Sequence, residues 1–275
     1  MATPDLLLGY SSLPQDAVTT SVANENSDYP HENSIFGGAS TRYSRNVAST
    51  FSNVTYDLGS GVTGTAEYIA LRKADLLTDL ATGEIDVKLR ASTDNFSASN
   101  DVILSADDIE VSDLVGPRSD NILVVDTESS AYRYWRVRIT SDASLVHTWS
   151  TAHFGLWFDF GEKNPIFPYE SSWEDNSKLF EADSGATYKS IMGVQPRMYK
   201  FRWYVTDSVR ATLTSTVIPR LQNTIGWLYA PNSSFRAHLD GETIVPVWLT
   251  RAEARSPGPV TDYNIVELEF VEDVL

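Results

Sequence analysis

The chain of 275 residues contains no cysteine. That absence removes disulfides, thiolate metal sites and thiol nucleophiles together, and it leaves the redox compartment unread. Positive charge is also scarce: 21 Lys and Arg stand against 37 Asp and Glu, a formal net charge of −16. Phosphate recognition needs clustered Lys and Arg, so no sequence-specific nucleic-acid binding is expected. An acidic surface of this kind serves solubility; it also suits a wall past which DNA must slide without sticking. No apolar run approaches the roughly 18 residues of a membrane span. Leu6-Leu7-Leu8 is too short for a signal peptide and lacks its basic flank. Neither membrane insertion nor signal-dependent secretion is expected.

Catalytic signatures are missing as well. The sequence holds no Gly-x-Ser-x-Gly elbow, no His-Glu-x-x-His, no Gly-x-Gly-x-x-Gly and no phosphate loop. His147 and His153 flank Trp149 without a third ligand at suitable spacing, and they read as structural. The acidic stretch containing Asp107, Asp108, Glu110 and Asp113 lacks the glycine-centred spacing of a calcium loop and reads as solvated. A glycosidase dyad would need a deep cleft, for which the residues beyond a β-sandwich leave little room. No catalytic residue, metal or cofactor is assigned, and the expectation is a binding or structural protein, not an enzyme.

What is present is strand character. Alternating or short apolar segments lie at 67–72, 85–91, 102–104, 121–125, 135–140 and 154–160, separated by turn signals such as Thr82-Gly83, Thr93-Asp94-Asn95 and Gly116-Pro117. This spacing predicts a mainly β protein. Gly161-Glu162-Lys163-Asn164-Pro165 reads as a linker, which divides the chain into domains 1–160 and 161–275. Beyond it, strands are expected at 198–205, 226–230, 235–239, 243–249 and 263–271, with a long loop over 250–262. Val209, Leu213, Val217, Leu221 and Ile225 recur every four residues and predict one helix within 207–225, capped by Thr206 or Asp207. Pro219 costs about 3 kcal/mol inside a helix, so that helix is kinked or begins at Pro219. Trp135, Trp157, Trp203 and Trp248 sit in apolar alternations and read as core. Trp149, Trp173 and Trp227 lie nearer turns, where core or interface packing competes with stacking on a sugar.

Three fragments stand in a telling order: Asp28-Tyr29-Pro30-His31-Glu32-Asn33-Ser34-Ile35-Phe36-Gly37-Gly38, Val54-Thr55-Tyr56-Asp57-Leu58-Gly59-Ser60 and Tyr132-Arg133-Tyr134-Trp135-Arg136-Val137-Arg138-Ile139. Alternation puts Trp135, Val137 and Ile139 in a core with Arg133 at a wet end; Tyr132, Tyr134, Arg136 and Arg138 point the other way. Those exposed arginines suit an ordinary sandwich strand, and ligand contact is the other reading. Together the fragments resemble the discoidin-like (factor 5/8 type C, galactose-binding-like) family. Val87 to Asp94, a strand running into a Ser-x-Asp turn, is similar to the same pattern. The resemblance implies an N-terminal discoidin-like jelly-roll β-sandwich whose loops at one end hold a ligand, with Tyr29, His31, Asn33, Arg42 and Arg45 as contacts and a host surface glycan as partner.

The second half, with one helix and a closing strand Asn264-Ile265-Val266-Glu267-Leu268-Glu269-Phe270-Val271-Glu272, resembles the tail-tube fold of long-tailed bacteriophages. Ile244-Val245-Pro246-Val247-Trp248-Leu249 is similar to that family's hairpin. The implied fold is a tail-tube-like β-barrel with one helix. The implied function is a structural virion protein of the tail tip or baseplate, a distal tail or minor tail protein assembled in the host cytoplasm. It would be a homo-oligomer, a hexameric ring or else a trimer, contacting tail tube and tail-tip proteins, with Glu267 and Glu269 facing the channel. The order of the halves is the reverse of many distal tail proteins. The alternative is a carbohydrate-binding, lectin-like module without a virion role.

Overall fold

The structure is a computed structural model that describes residues 6–31, 44–45, 48–72, 85–97, 102–103, 114–115, 122–126, 130–146, 148–149, 151–160, 165, 170–173, 177–181, 187–191, 196–230, 239, 244–255 and 263–273. The chain separates into two compact units. One comprises Leu8–Phe158 with Glu242–Ile244; the other comprises Met1–Leu7, Asp159–Gly241 and Val245–Leu275.

The first unit contains β1 (Leu7–Gly9), α1 (Leu13–Asp16), β2 (Thr19–Ala23), β3 (Ser44–Arg45), β4 (Ser49–Asp57), β5 (Tyr68–Arg72) and β6 (Ile85–Ser92). It continues with β7 (Val102–Ile103), β8 (Leu114–Val115), β9 (Ile122–Asp126), β10 (Tyr134–Leu145), β11 (Thr148–Trp149), β12 (Thr151–Gly155) and β13 (Trp157–Phe158). Five strands in the order β2-β4-β10-β6-β7 form one sheet, and four in the order β12-β5-β9-β8 form the other. Val54, Tyr56, Leu89, Ala91, Trp135, Val137 and Ile139 from the first sheet share a buried core with Ile69 and Phe154 from the second. Each set occupies alternate positions, as period-two side-chain facing requires. Phe154 lies between two aromatic neighbours, 5.3 Å from Tyr56 and 5.8 Å from Trp135 between ring centroids. The buried Trp135 indole donates to the Tyr132 carbonyl at 3.1 Å, so no polar atom of that ring is stranded.

The segment at 154–160 is not one strand. β12 pairs with β5 through Gly155, whereas β13 pairs with β1. The switch has a local cause at Gly155. A Cβ there would sit 2.1 Å from the Ser11 carbonyl oxygen. The same carbonyl accepts the Tyr68 hydroxyl at 2.9 Å, and burial pushes that phenol's pKa well up.

The second unit contains β14 (Glu170–Trp173), β15 (Ser177–Glu181), β16 (Thr187–Ile191), β17 (Arg197–Val205), α2 (Asp207–Thr212), a π-helical turn (Leu213–Val217), α3 (Ile218–Leu221), β18 (Gly226–Tyr229), β19 (Ile244–Arg255) and β20 (Asn264–Glu272). Its strands run in the order β18-β19-β20-β17-β14, with β15 and β16 as a separate hairpin. The mainly β character is as the alternation predicts. The expected closed barrel is corrected: among the described residues β14 pairs with β17 alone, so the sheet stays open. β20 buries Asn264, Val266, Leu268 and Phe270 and turns the intervening residues outward. Trp227 is fully buried, which places it in the core and not at a surface.

The helix lies where the four-residue spacing puts it, and Thr206 caps it by accepting the Val209 amide at 3.4 Å. Asp207 instead accepts the Asn264 side-chain amide at 2.9 Å, tying the helix start to β20. A spacing of four exceeds the 3.6-residue turn, so an ideal helix would rotate this stripe by about 40° per repeat. The π turn at Leu213–Val217 takes up that surplus and keeps Leu213, Val217 and Leu221 buried together. Pro219 follows directly on the π turn, inside a run of helical backbone that continues from α2; a π turn already departs from the i→i−4 ladder that a proline ring would obstruct. The expected loop at 250–262 begins later, because β19 runs on to Arg255 after a register shift at Thr250.

Candidate functional site

The residues that carry the discoidin-like resemblance meet each other. Arg133 donates from Nε to Asp57 Oδ1 at 2.6 Å and from Nη2 to Oδ2 at 2.8 Å. Asp57 Oδ1 also accepts the Gly59 amide at 2.8 Å, and Gly59 has φ +97°, a conformation open to glycine. The guanidinium beside it holds the Asp57 carboxyl below its usual range. This fork joins the end of β4 to the start of β10, so these motif residues form an internal clamp rather than a ligand surface.

The loop expected to bind ligand is knitted to the sandwich. Asn24, at φ 64°, donates to the Phe51 carbonyl at 2.7 Å and to Ser49 Oγ at 2.9 Å. Tyr29 is half-buried, and its amide donates to the Asn26 carbonyl at 3.0 Å. His31 is only 1% exposed. Its amide donates to Glu25 Oε1 at 2.6 Å, its Nδ1 lies 3.3 Å from the same oxygen, and its ring meets Tyr56 edge-on at 6.2 Å. The His31 ring is thus packed inward at the end of the core and is not presented to solvent. Asn33 and Arg42 lie outside the described residues. Arg45 lies on β3 opposite Thr148, with its side chain outside them, as is His147.

A different surface gathers more chemistry: the outer face of β4, β10 and β6. Register sets Arg136 between Thr55 and Arg90, and Arg138 between Asn53 and Lys88. Four of the ten Lys and Arg in residues 1–160 therefore share one patch of an otherwise acidic half. Like charges directly opposed across a sheet are unfavourable unless other groups compensate them. Arg136 donates from Nε to Thr55 Oγ1 at 2.8 Å, and its guanidinium carbon lies 3.8 Å from the Phe96 ring centroid. Phe96 reaches that position from a strained turn: Asn95 and Phe96 have φ 60° and 61°, rare for a bulky side chain. Ser92 fixes the turn by donating to Asp94 Oδ1 at 2.7 Å and accepting the Asp94 and Phe96 amides at 3.1 Å each.

The next row holds two unsatisfied atoms on paired residues. Among the described residues, Arg138 Nε and Asn53 Oδ1 are both withdrawn from solvent and have no hydrogen-bond partner, although the two residues are opposite one another. Leaving such groups unpaired costs about 1–3 kcal/mol each. An arginine fork edge, an amide acceptor and an aromatic ring over a second guanidinium are the elements of polar-ligand recognition. Sequence reasoning found Arg136 and Arg138 and the Ser-x-Asp turn. It missed Asn53, Thr55 and Phe96, because no pattern within one strand reveals which residues lie opposite.

In the second unit Glu267 and Glu269 do face outward from β20, but not as bare carboxylates. Glu267 pairs with Lys200 at 3.2 Å and Arg202 at 2.6 Å, and Glu269 with Lys200 at 3.3 Å and Arg251 at 3.5 Å. Glu253 joins Arg251 and Arg255. Arg202 above all, then Lys200, holds Glu267 below the usual carboxylate range. Four cations and three carboxylates form a cross-strand ladder, which removes the premise that these glutamates project free negative charge. Beside it, a groove of about 260 Å³ runs between the helix and β19, lined by Thr214, Ile218, Gln222, Leu249, Arg251 and Ala254 among others. No group of three or more His, Asp or Glu able to hold a metal occurs among the described residues.

No protein-family model and no characterised protein sequence matches the chain. Among solved structures it is similar to a Ruminococcus gnavus fucosidase in complex with fucose, at 11% identity and a TM-score of 0.39, over 56% of this chain and 28% of that one. It is also similar to a Streptococcus pneumoniae fucose binding module, at 11% identity and a TM-score of 0.37, over 53% of this chain and 95% of that one. The chain thus spans well under a third of the fucosidase's length.

Proposed function

We propose that the first unit is a non-catalytic carbohydrate-binding module whose ligand lies on the outer face of β4, β10 and β6. The observation that carries this reading is the turn 92–97, which holds Phe96 in a left-handed conformation over Arg136, beside the unsatisfied Arg138 and Asn53. Backbone strain of this sort persists where the surroundings over-determine it, and binding sites are where it clusters. A half-buried aromatic ring gives a sugar's C–H face a stacking surface, and the flanking donors and acceptor suit its hydroxyls. A glycan-array screen of the full chain and of Phe96→Ala tests the reading. Binding that falls sharply in the variant supports it; an array on which wild type binds nothing rejects it.

We propose further that the chain acts within a bacteriophage virion as a structural tail-tip or baseplate component, and that the second unit mediates its assembly. The reading draws on the tail-tube-like strand and helix pattern, and one structural observation favours it over a free lectin. Tyr204 and Tyr263, 49% and 46% exposed, lie at the end of the charge-laddered face of β17, β20 and β19. Exposed tyrosines beside ordered charges of both signs suit a subunit interface. On this reading the protein is a cyclic homo-oligomer, a hexamer or else a trimer, in contact with tail tube and tail-tip proteins. Mass photometry of the purified chain and immunogold labelling of tails test it. A strictly monomeric protein absent from particles contradicts it.

A further inference from the structure

We infer that the ligand of the β4/β10/β6 face carries a carboxylate next to a hydroxyl, the chemistry of a uronic-acid sugar; this rests on the carbohydrate-binding reading of that face. Three arginines on or beside β10 make the comparison internal to the protein. Arg133 engages a carboxylate with its Nε–Nη2 edge, at 2.6 and 2.8 Å from the two oxygens of Asp57. Arg136 gives its Nε to Thr55 Oγ1 at 2.8 Å. Arg138 has its Nε unengaged among the described residues. The planar fork of an arginine matches the two oxygens of a carboxylate better than any single hydroxyl. Arg133 shows that match within the same sheet.

The second requirement comes from Asn53. It stands opposite Arg138 as Asp57 stands opposite Tyr134, yet its Oδ1 is an acceptor without a donor. A carboxylate cannot satisfy it, whereas a hydroxyl on the adjacent ring carbon can. The Arg138 side chain is half-exposed, so a turn about its stem brings the idle edge outward. Lys88 on the far side of Arg138, and Arg90 beside Arg136, raise the local potential for an anion. The four cations thus lie on one face of a chain of net charge −16.

The test is a calorimetric titration of the full chain with oligogalacturonate and with its methyl ester, in which a methyl group on each carboxyl removes the charge and the second free oxygen. Binding of the acid about 10- to 100-fold tighter than the ester is expected, with Arg138→Ala removing most of that difference. A second variant guards against misfolding. Asn53→Asp should pair with Arg138 as Asp57 pairs with Arg133, raise the unfolding midpoint and abolish acid binding. Equal affinity for acid and ester, binding of neither, or undiminished acid binding by Asn53→Asp overturns the inference. If neutral glycans still bind on the array in those cases, the carbohydrate-binding reading stands without it; silence there removes both.

Discussion

Acid should weaken this protein through one buried imidazole well before most carboxylates titrate. His153 lies on β12 opposite Ala70, fully buried. Burial alone pulls its pKa from 6.5 down to about 4. The folded state therefore refuses a proton that the unfolded chain accepts, so stability present above pH 6.5 is lost as pH falls towards 4. Linkage gives a loss of about 2 kcal/mol at pH 5 and about 3 kcal/mol at pH 4. Against a typical total of about 5–15 kcal/mol, that is a large share from a single side chain. Urea unfolding at pH 7, 6 and 5, followed by tryptophan fluorescence, measures it. His153→Gln should start less stable or equal at pH 7 and then lose about 2 kcal/mol less than wild type between pH 7 and 5. Parallel losses in the two proteins would refute the assignment, since carboxylates and the other histidines are common to both.

Gly155→Ala is expected to be strongly destabilising, because its Cβ would meet the Ser11 backbone oxygen at 2.1 Å; Gly64→Ala meets the movable Leu13 Cδ2 at 2.5 Å and should be milder. Thermal unfolding of the pair orders them, and equal midpoints would contradict the packing described. Trp135→Ala should cost about 3–5 kcal/mol by emptying the centre of the sandwich core, read from chemical denaturation. Asp57→Asn should lower the unfolding midpoint at neutral pH and flatten its fall in acid. The depressed Asp57 carboxyl stabilises the fold above its unfolded value and loses that contribution as pH drops through the folded one; an unchanged acid profile would count against the clamp. Limited proteolysis is expected to cut near Gly161–Pro165 and leave a resistant N-terminal fragment; its absence would contradict two independently folding units.

Much of the strand content was legible because period-two alternation is a local property. The core face of Trp135, Val137 and Ile139 and the apolar face of Val266, Leu268 and Phe270 follow directly from it. The helix was legible for the same reason, but its π turn was not. Only the mismatch between a four-residue stripe and a 3.6-residue turn hints at it. β19 outruns its expected end because Arg251, Glu253 and Arg255 alternate with alanines, a polar pattern that reads as loop until a charged partner strand lies alongside. The candidate site was the least legible part. Asn53, Thr55, Phe96 and Lys88 come together through pairing of β4, β10 and β6, and register across three strands is a tertiary fact. His31 shows the converse: its polar type suggested a contact residue, while packing against Glu25 and Tyr56 turned it inward.

The placement of the ligand is the central claim, and backbone hydrogen exchange of the full chain, with and without an array-positive glycan, tests it most directly. The account predicts slowed exchange in β4, β10, β6 and the turn 92–97, around Asn53, Thr55, Arg136, Arg138 and Phe96. Protection confined to the loop 24–31 around Tyr29 and His31, with that sheet and turn unchanged, would contradict it.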